Sequence, residues 1–219
     1  MELDLRLLAI ADLAVISRDR LVASVAAAAR GGATLLQLRG KNVPAGELLA
    51  AAEEIVPVLE GAGVALFVND RVDVALLAGA SGVHLGDEDL DPASARMLLG
   101  PRSWIGCTAR SPEAALAAVA AGADYLGVGS VFGGGTKSGV PIIGLDGLAR
   151  VAQASTKPIV AIGGIDIERA ADCVAAGAEG VAVIGALFGG DPAPEEIEDR
   201  AARLRHAVAL GCHRRGGRR

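Results

Sequence analysis

Four glycine–alanine pairs, Gly32-Ala33, Gly79-Ala80, Gly122-Ala123 and Gly177-Ala178, each follow an alanine-rich amphipathic segment and precede a short apolar run by a residue or two. Glycine at such a point is the left-handed stop that ends a helix and turns the chain back into a sheet. The pairs recur about two βα units apart, so every second unit begins alike. The full alternation predicts strands at Leu5–Ile10, Thr34–Leu38, Val64–Val68, Gly82–Leu85, Trp104–Cys107, Tyr125–Val128, Pro158–Ala161 and Gly180–Ile184. Helices are predicted near Leu21–Ala29, Ala45–Leu59, Arg71–Leu77, Pro92–Leu98, Pro112–Ala121, Leu145–Gln153, Glu168–Ala176 and Pro194–Ala209. Eight parallel α/β units of this kind close into a single-domain (β/α)8 TIM barrel, with a packed interior and its chemistry at the carboxyl ends of the strands. A doubly wound open sheet is the alternative, and it requires no such even phasing.

The 219 residues suit one barrel domain over 1–210, followed by a basic tail at 211–219 that is expected to be disordered. With only 2% aromatic residues, the core is expected to be built from Ala, Val, Leu and Ile. A net charge of −5, with no basic stripe before the last few residues, argues against nucleic acid as a partner. Cys107, Cys173 and Cys212 share no short spacing, giving neither a zinc pattern nor a disulfide framework, which fits a reducing cytosol. Met1-Glu2-Leu3-Asp4 carries acid where a signal peptide carries Lys or Arg, and no apolar run nears the ~18 residues of a membrane span. The expectation is a cytoplasmic protein with small-molecule partners and no membrane; whether it forms a homo-oligomer stays open.

If the barrel is right, the polar residues after each strand share one mouth. Strand 3 delivers Asn69-Asp70-Arg71, and strand 4 delivers His84 and then Asp87-Glu88-Asp89. Two carboxylates, Asp70 and Asp89, converging at the mouth of a parallel sheet point to a divalent-metal site; the plainer alternative is that Asp70 caps a helix and Asp89 begins a turn. Strand 2 ends in Gln37-Leu38-Arg39-Gly40-Lys41, where alternation puts Gln37 and Arg39 on one face with Lys41 just beyond. Thr108, after strand 5, either hydrogen-bonds a ligand or caps the following helix. After strand 6, the glycine-rich stretch from Gly129 to Gly139, with Gly134, Thr136 and Lys137, reads as a lid over a phosphorylated ligand. Gly163-Gly164 after strand 7 and Ile184-Gly185 after strand 8 occupy the usual phosphate position of such barrels.

Taken in order, Gln37-Leu38-Arg39-Gly40-Lys41, Asn69-Asp70-Arg71, Gly82-Val83-His84-Leu85-Gly86 with Asp89, Asp124-Tyr125-Leu126-Gly127-Val128-Gly129 running to Thr136-Lys137, and Ala161-Ile162-Gly163-Gly164-Ile165 resemble the thiamine-phosphate synthase family over nearly the whole chain to about Phe188. The resemblance implies a barrel enzyme that joins a hydroxymethylpyrimidine diphosphate to a thiazole phosphate, releasing diphosphate, with Mg2+. It implies that Asp70 and Asp89 hold Mg2+, that Gln37, Arg39, Lys41 and Asn69 meet the pyrimidine diphosphate, and that Lys137 contacts its diphosphate. Thr108 stands where the family usually has a diphosphate-binding Ser, and His84 is expected near the pyrimidine. Gly134, Thr136 and the amides at Gly164, Ile184 and Gly185 are assigned to the thiazole phosphate, with Lys41, Lys137 and Thr108 as the catalytic set. This sequence departs from the family pattern at Gly134 and Gly185, which replace hydroxyl residues, and at Leu8, which replaces a frequent Tyr. The competing readings are the thiazole tautomerase branch, which has no need of the metal and diphosphate residues, and another phosphate-binding barrel isomerase or epimerase, which requires an acid or base at two strand ends.

Overall fold

The computed structural model describes residues 3–134, 139 and 141–216. Its strands are β1 (Leu7–Asp12), β2 (Leu35–Arg39), β3 (Ala65–Asn69), β4 (Gly82–Leu85), β5 (Trp104–Ala109), β6 (Tyr125–Val128), β7 (Ile159–Ile162) and β8 (Gly180–Val183), all parallel and closed by the β1–β8 pairing of Leu8 with Ala182. The helices are α1 (Leu21–Arg30), α2 (Ala45–Ala62), α3 (Val72–Leu77), α4 (Pro92–Leu99), α5 (Pro112–Ala120), α6 (Gly144–Ala154), α7 (Ile167–Ala175), α8 (Gly185–Phe188) and α9 (Pro194–Gly216).

The repeated glycines act as the sequence predicts. Gly32, Gly79, Gly122 and Gly177 all have positive φ, and behind each the same pair of bonds closes the helix. After α1, Gly32 N donates to Ala29 O at 3.0 Å and Ala33 N to Ala28 O at 2.9 Å; after α7, Gly177 N donates to Val174 O and Ala178 N to Cys173 O. These bonds satisfy carbonyls that a helix end leaves without partners, and the left-handed residue between them reverses the chain toward the next strand.

Alternation along the strands sorts two cores. Leu7, Ala9, Leu36, Leu38, Leu66 and Val68 face the helices, while Leu8, Ile10, Leu35, Phe67, Tyr125, Val160 and Ala182 fill the barrel. The expectation of an aliphatic core holds for the outer layer apart from Phe188. Inside the barrel it does not, because Phe67 and Tyr125 supply the bulk, with ring centroids 5.9 Å apart. Glycines on neighbouring strands make the room: a Cβ on Gly106 would lie 2.2 Å from the Tyr125 ring, and one on Gly82 would lie 2.9 Å from Phe67.

The predicted disordered tail is corrected over residues 211–216, where α9 runs on to Gly216. Its apolar stripe, Ile197, Ala201, Leu204 and Val208, packs against α1 and α7. Gly211 continues that stripe by letting α9 touch α7, since a Cβ there would come 2.6 Å from Ala171 O. Arg214 pairs with Asp172 at 2.9 Å, and Arg215 donates to the carbonyls of Gly177 and Ala178 beyond the end of α7. The arginines are therefore ties to the barrel. Among the described residues no helix is long and apolar enough to cross a membrane.

Candidate active site

The inner-face alternation that fills the barrel carries on to its mouth. Above Ile10 comes Asp12, above Leu35 come Gln37 and Arg39, above Phe67 comes Asn69, and above Gly106 come Thr108 and Arg110. A cavity of about 270 Å³ opens there, lined by Gln37, Arg39, Asn69, Asp70, His84, Thr108 and Arg110 on one side. Gly134, Gly163, Gly164, Ile184 and Gly185 line the other, and Leu8, Ile10 and Val160 form the apolar floor.

Asp70 and Asp89 do come together. Their carboxyls are close neighbours, and burial followed by the adjacent Asp70 carboxyl pushes Asp89 up from the usual carboxylate range. The Gly86 amide, which donates to Asp89 Oδ2 at 2.7 Å, and the Lys41 cation oppose that rise. Lys41 sits at the exposed rim with Nζ 3.0 Å from Asp70 Oδ2. Neither plain alternative accounts for the pair. The N-cap of α3 is Arg71, without a side-chain bond, and the cap of α4 is Asp91, which accepts from Ser94 N. Asp89 does close a turn onto Gly86, but its second contact is Asp70. Asp70 also carries φ 64°, a left-handed conformation that Asp tolerates better than most residues, while its N–H stays on the ladder to His84 O at 2.8 Å. Arg71 turns away from the mouth to Asp73.

His84 lies within a half-buried polar chain. Its Nδ1 is 2.9 Å from the Tyr125 hydroxyl and its Nε2 is 3.2 Å from Thr108 Oγ1. Burial pushes the Tyr125 phenol up, keeping it protonated, and the neighbouring Gln37 side-chain amide opposes that rise. Tyr125, His84 and Thr108, from β6, β4 and β5, thus form one connected row, with Gln37 of β2 beside the tyrosine. Thr108 is not a helix cap, since Ser111 caps α5 by accepting from Ala114 N. Gly127 permits this row, because a Cβ there would lie 2.7 Å from His84 Cε1.

Arg39 is 8% exposed and is held by Asp12, which is 0% exposed. Sequence reasoning missed Asp12 because it ended the first strand at Ile10; a lone carboxylate two positions further, on the inner parity, was the available signal. It also missed Tyr125, the chain's single tyrosine, and Arg110, which follows Thr108 on the same face. On the far wall, Phe132 N donates to Gly163 O at 2.9 Å, Arg169 Nη1 donates to Gly164 O at 2.8 Å, and the Arg169 guanidinium lies 5.0 Å from the Phe132 ring centroid. Short helix α8 begins where β8 ends, the arrangement common at barrel phosphate sites. Thr136 and Lys137, with Gly135 and Ser138 of the predicted lid, lie outside the described residues.

The fold and the mouth define a single-chain (β/α)8 enzyme whose polar groups converge at the carboxyl ends of its strands. The thiamine monophosphate synthase family matches residues 7–187. Thiamine-phosphate synthase of Anaeromyxobacter dehalogenans is 47% identical over 197 residues, 89% of this chain and 86% of that one. Thiamine-phosphate synthase of Roseiflexus sp. is 45% identical over 185 residues, 84% of this chain and 76% of that one. The solved thiamine phosphate pyrophosphorylase of Pyrococcus furiosus superposes with a TM-score of 0.85 at 36% identity, covering 96% and 98% of the two chains. The chain belongs to the thiamine monophosphate synthase family, and its activity is thiamine-phosphate synthesis, an alkyl-group transfer in thiamine biosynthesis.

Proposed function

We propose that this site moves a hydroxymethylpyrimidine group from its diphosphate to the ring nitrogen of a thiazole phosphate, with Mg2+ and in the cytoplasm. The observation that carries the reading is the contact between the Asp70 and Asp89 carboxyls beside Lys41. Among the described residues no group of three His, Cys, Asp or Glu is placed to hold a metal by itself. That donor set fits Mg2+, which keeps several waters and takes one or two carboxylates together with substrate phosphate oxygens. When bound by Asp70 and Asp89, the cation would neutralise charge on the departing diphosphate.

The chain's own groups do the rest. Loss of diphosphate leaves a cation on the pyrimidine methylene, stabilised by the pyrimidine's amino group, so the bond-forming step needs no protein base. Lys41, Thr108 and, from the stretch beyond Gly134, Lys137 bear on the leaving group's oxygens. Gln37 and Asn69 orient the pyrimidine diphosphate, His84 sits against the ring, and Arg39 is fixed by Asp12. The backbone at Gly134, Gly164, Ile184 and Gly185, with Thr136, receives the thiazole phosphate; glycine at 134 and 185 leaves amides where hydroxyls would otherwise contribute. The apolar floor keeps water from the cation until the thiazole nitrogen attacks.

The test is to incubate the protein with both substrates and with thiazole phosphate alone. Thiamine phosphate and diphosphate formed in equal amounts only from the pair supports the reading. Turnover of the thiazole phosphate without the pyrimidine diphosphate would assign the site to tautomerisation instead.

A further inference from the structure

We propose that Arg110 is a further diphosphate-binding residue, parked on Asp87 until the anion arrives; the inference rests on the diphosphate reading above. Arg110 follows Thr108 on the inner parity of β5 and lines the same cavity, while Ala109 between them is fully buried toward the helices. Its Nη1 donates to Asp87 in the loop that also carries Asp89. Among the described residues its Nε–H is the one buried side-chain donor with no hydrogen-bond partner. A guanidinium donor stripped of water normally finds an acceptor, so the parked conformation is incomplete. The Asp87 side chain is 56% exposed and recovers water when its partner leaves, so releasing Arg110 costs little.

A phosphate oxygen in the cavity supplies what the parked state lacks, a charged acceptor that meets the planar fork along two N–H bonds. Rotation from Asp87 into the cavity satisfies the orphaned donor and brings a cation from β5 to face Lys41 at the end of β2. The leaving group is then flanked by positive charge from two sides of the mouth. Nothing else in the loop must move, because Asp89 is held independently by the Gly86 amide.

The experiment is calorimetric titration of inorganic pyrophosphate, in the presence of Mg2+, into the native protein and the Arg110→Gln, Arg110→Lys and Asp87→Asn variants, with steady-state kinetics on each. Arg110→Gln is expected to weaken pyrophosphate about tenfold or more and to raise KM for the pyrimidine diphosphate, leaving KM for the thiazole phosphate within about twofold. Arg110→Lys, which keeps the charge but not the fork, falls between. Asp87→Asn binds pyrophosphate as well as the native protein or more tightly, because a competitor for Arg110 has gone. The proposal is overturned if Arg110→Gln binds like the native protein, or if Asp87→Asn loses as much as Arg110→Gln, which would make Arg110 only a staple for the loop. A native protein that fails to bind pyrophosphate would overturn the diphosphate reading itself.

Discussion

Asp12, with no solvent exposure, holds the Arg39 guanidinium at the base of the mouth, and the Asp12 carboxylate also accepts from Ala14 N at 3.0 Å. A buried pair of this kind contributes little by existing but costs a great deal to break, because the remaining charge has no water. Asp12→Ala is therefore expected to destabilise the fold by about 3–5 kcal/mol in urea denaturation. The double variant Asp12→Leu, Arg39→Met recovers most of that stability while substrate affinity stays low. Equal stability of Asp12→Ala and the native protein would show that Arg39 does not depend on Asp12.

Two glycine substitutions separate crowding at the site from ordinary helix propensity. An alanine Cβ at Gly127 would sit 2.7 Å from His84 Cε1, forcing the imidazole off Tyr125 and Thr108. Gly127→Ala should cost about 1–3 kcal/mol and raise KM for the pyrimidine diphosphate. Gly61, inside α2, has nothing within 4 Å of its would-be Cβ, so Gly61→Ala should add about 0.5–1 kcal/mol with unchanged kinetics. Thermal melts and initial rates on the two variants check both directions.

The backbone at Asp70 allows strain to be measured apart from chemistry. Because its φ is 64°, Asp70→Gly should be more stable than Asp70→Ala by about 1 kcal/mol, although both lose the carboxylate. Denaturation midpoints for the two variants give the difference, and an inverted order would remove the left-handed assignment.

Burial pushes the thiols of Cys107 and Cys173 up to about 12 from the ordinary 9.0. In the unfolded chain both ionise near the ordinary value, so the native state binds more protons across the interval between. Their contribution to stability is complete below the unfolded value and is lost as pH rises through the folded one. Unfolding free energy should fall above about pH 9 by up to ~1.4 kcal/mol per pH unit for each thiol. Replacing both cysteines with alanine should flatten that slope in denaturant titrations at several pH values.

All eight strands were legible because a buried parallel strand is an apolar run, and glycine stops mark where each second unit turns. Strand ends were less so. β1 begins and ends two residues later than the pattern indicated, since Leu5 to Ala11 is apolar nearly throughout and alternation cannot fix a boundary. That shift hid Asp12. Helix α8 has four residues, too few to show a period. Gly211 was read as the start of a disordered tail, yet it lies within α9, where its role is close approach to α7, which depends on tertiary packing. The carboxylates, Gln37, Arg39 and Thr108 were legible because polar residues at the ends of apolar strands have no structural use there. Tyr125 and its hydrogen bond to His84 were not, because a partner on a non-adjacent strand leaves no mark in spacing.

The central claim, that Asp70 and Asp89 together hold the cation that draws off diphosphate, is tested most directly by single-turnover rates of diphosphate release against Mg2+ concentration in the native protein, Asp70→Asn and Asp89→Asn. The account predicts saturable Mg2+ dependence in the native protein and, in both variants, a loss of about a hundredfold or more that excess Mg2+ restores only in part. Release that ignores Mg2+, or a native rate in either variant, would contradict it.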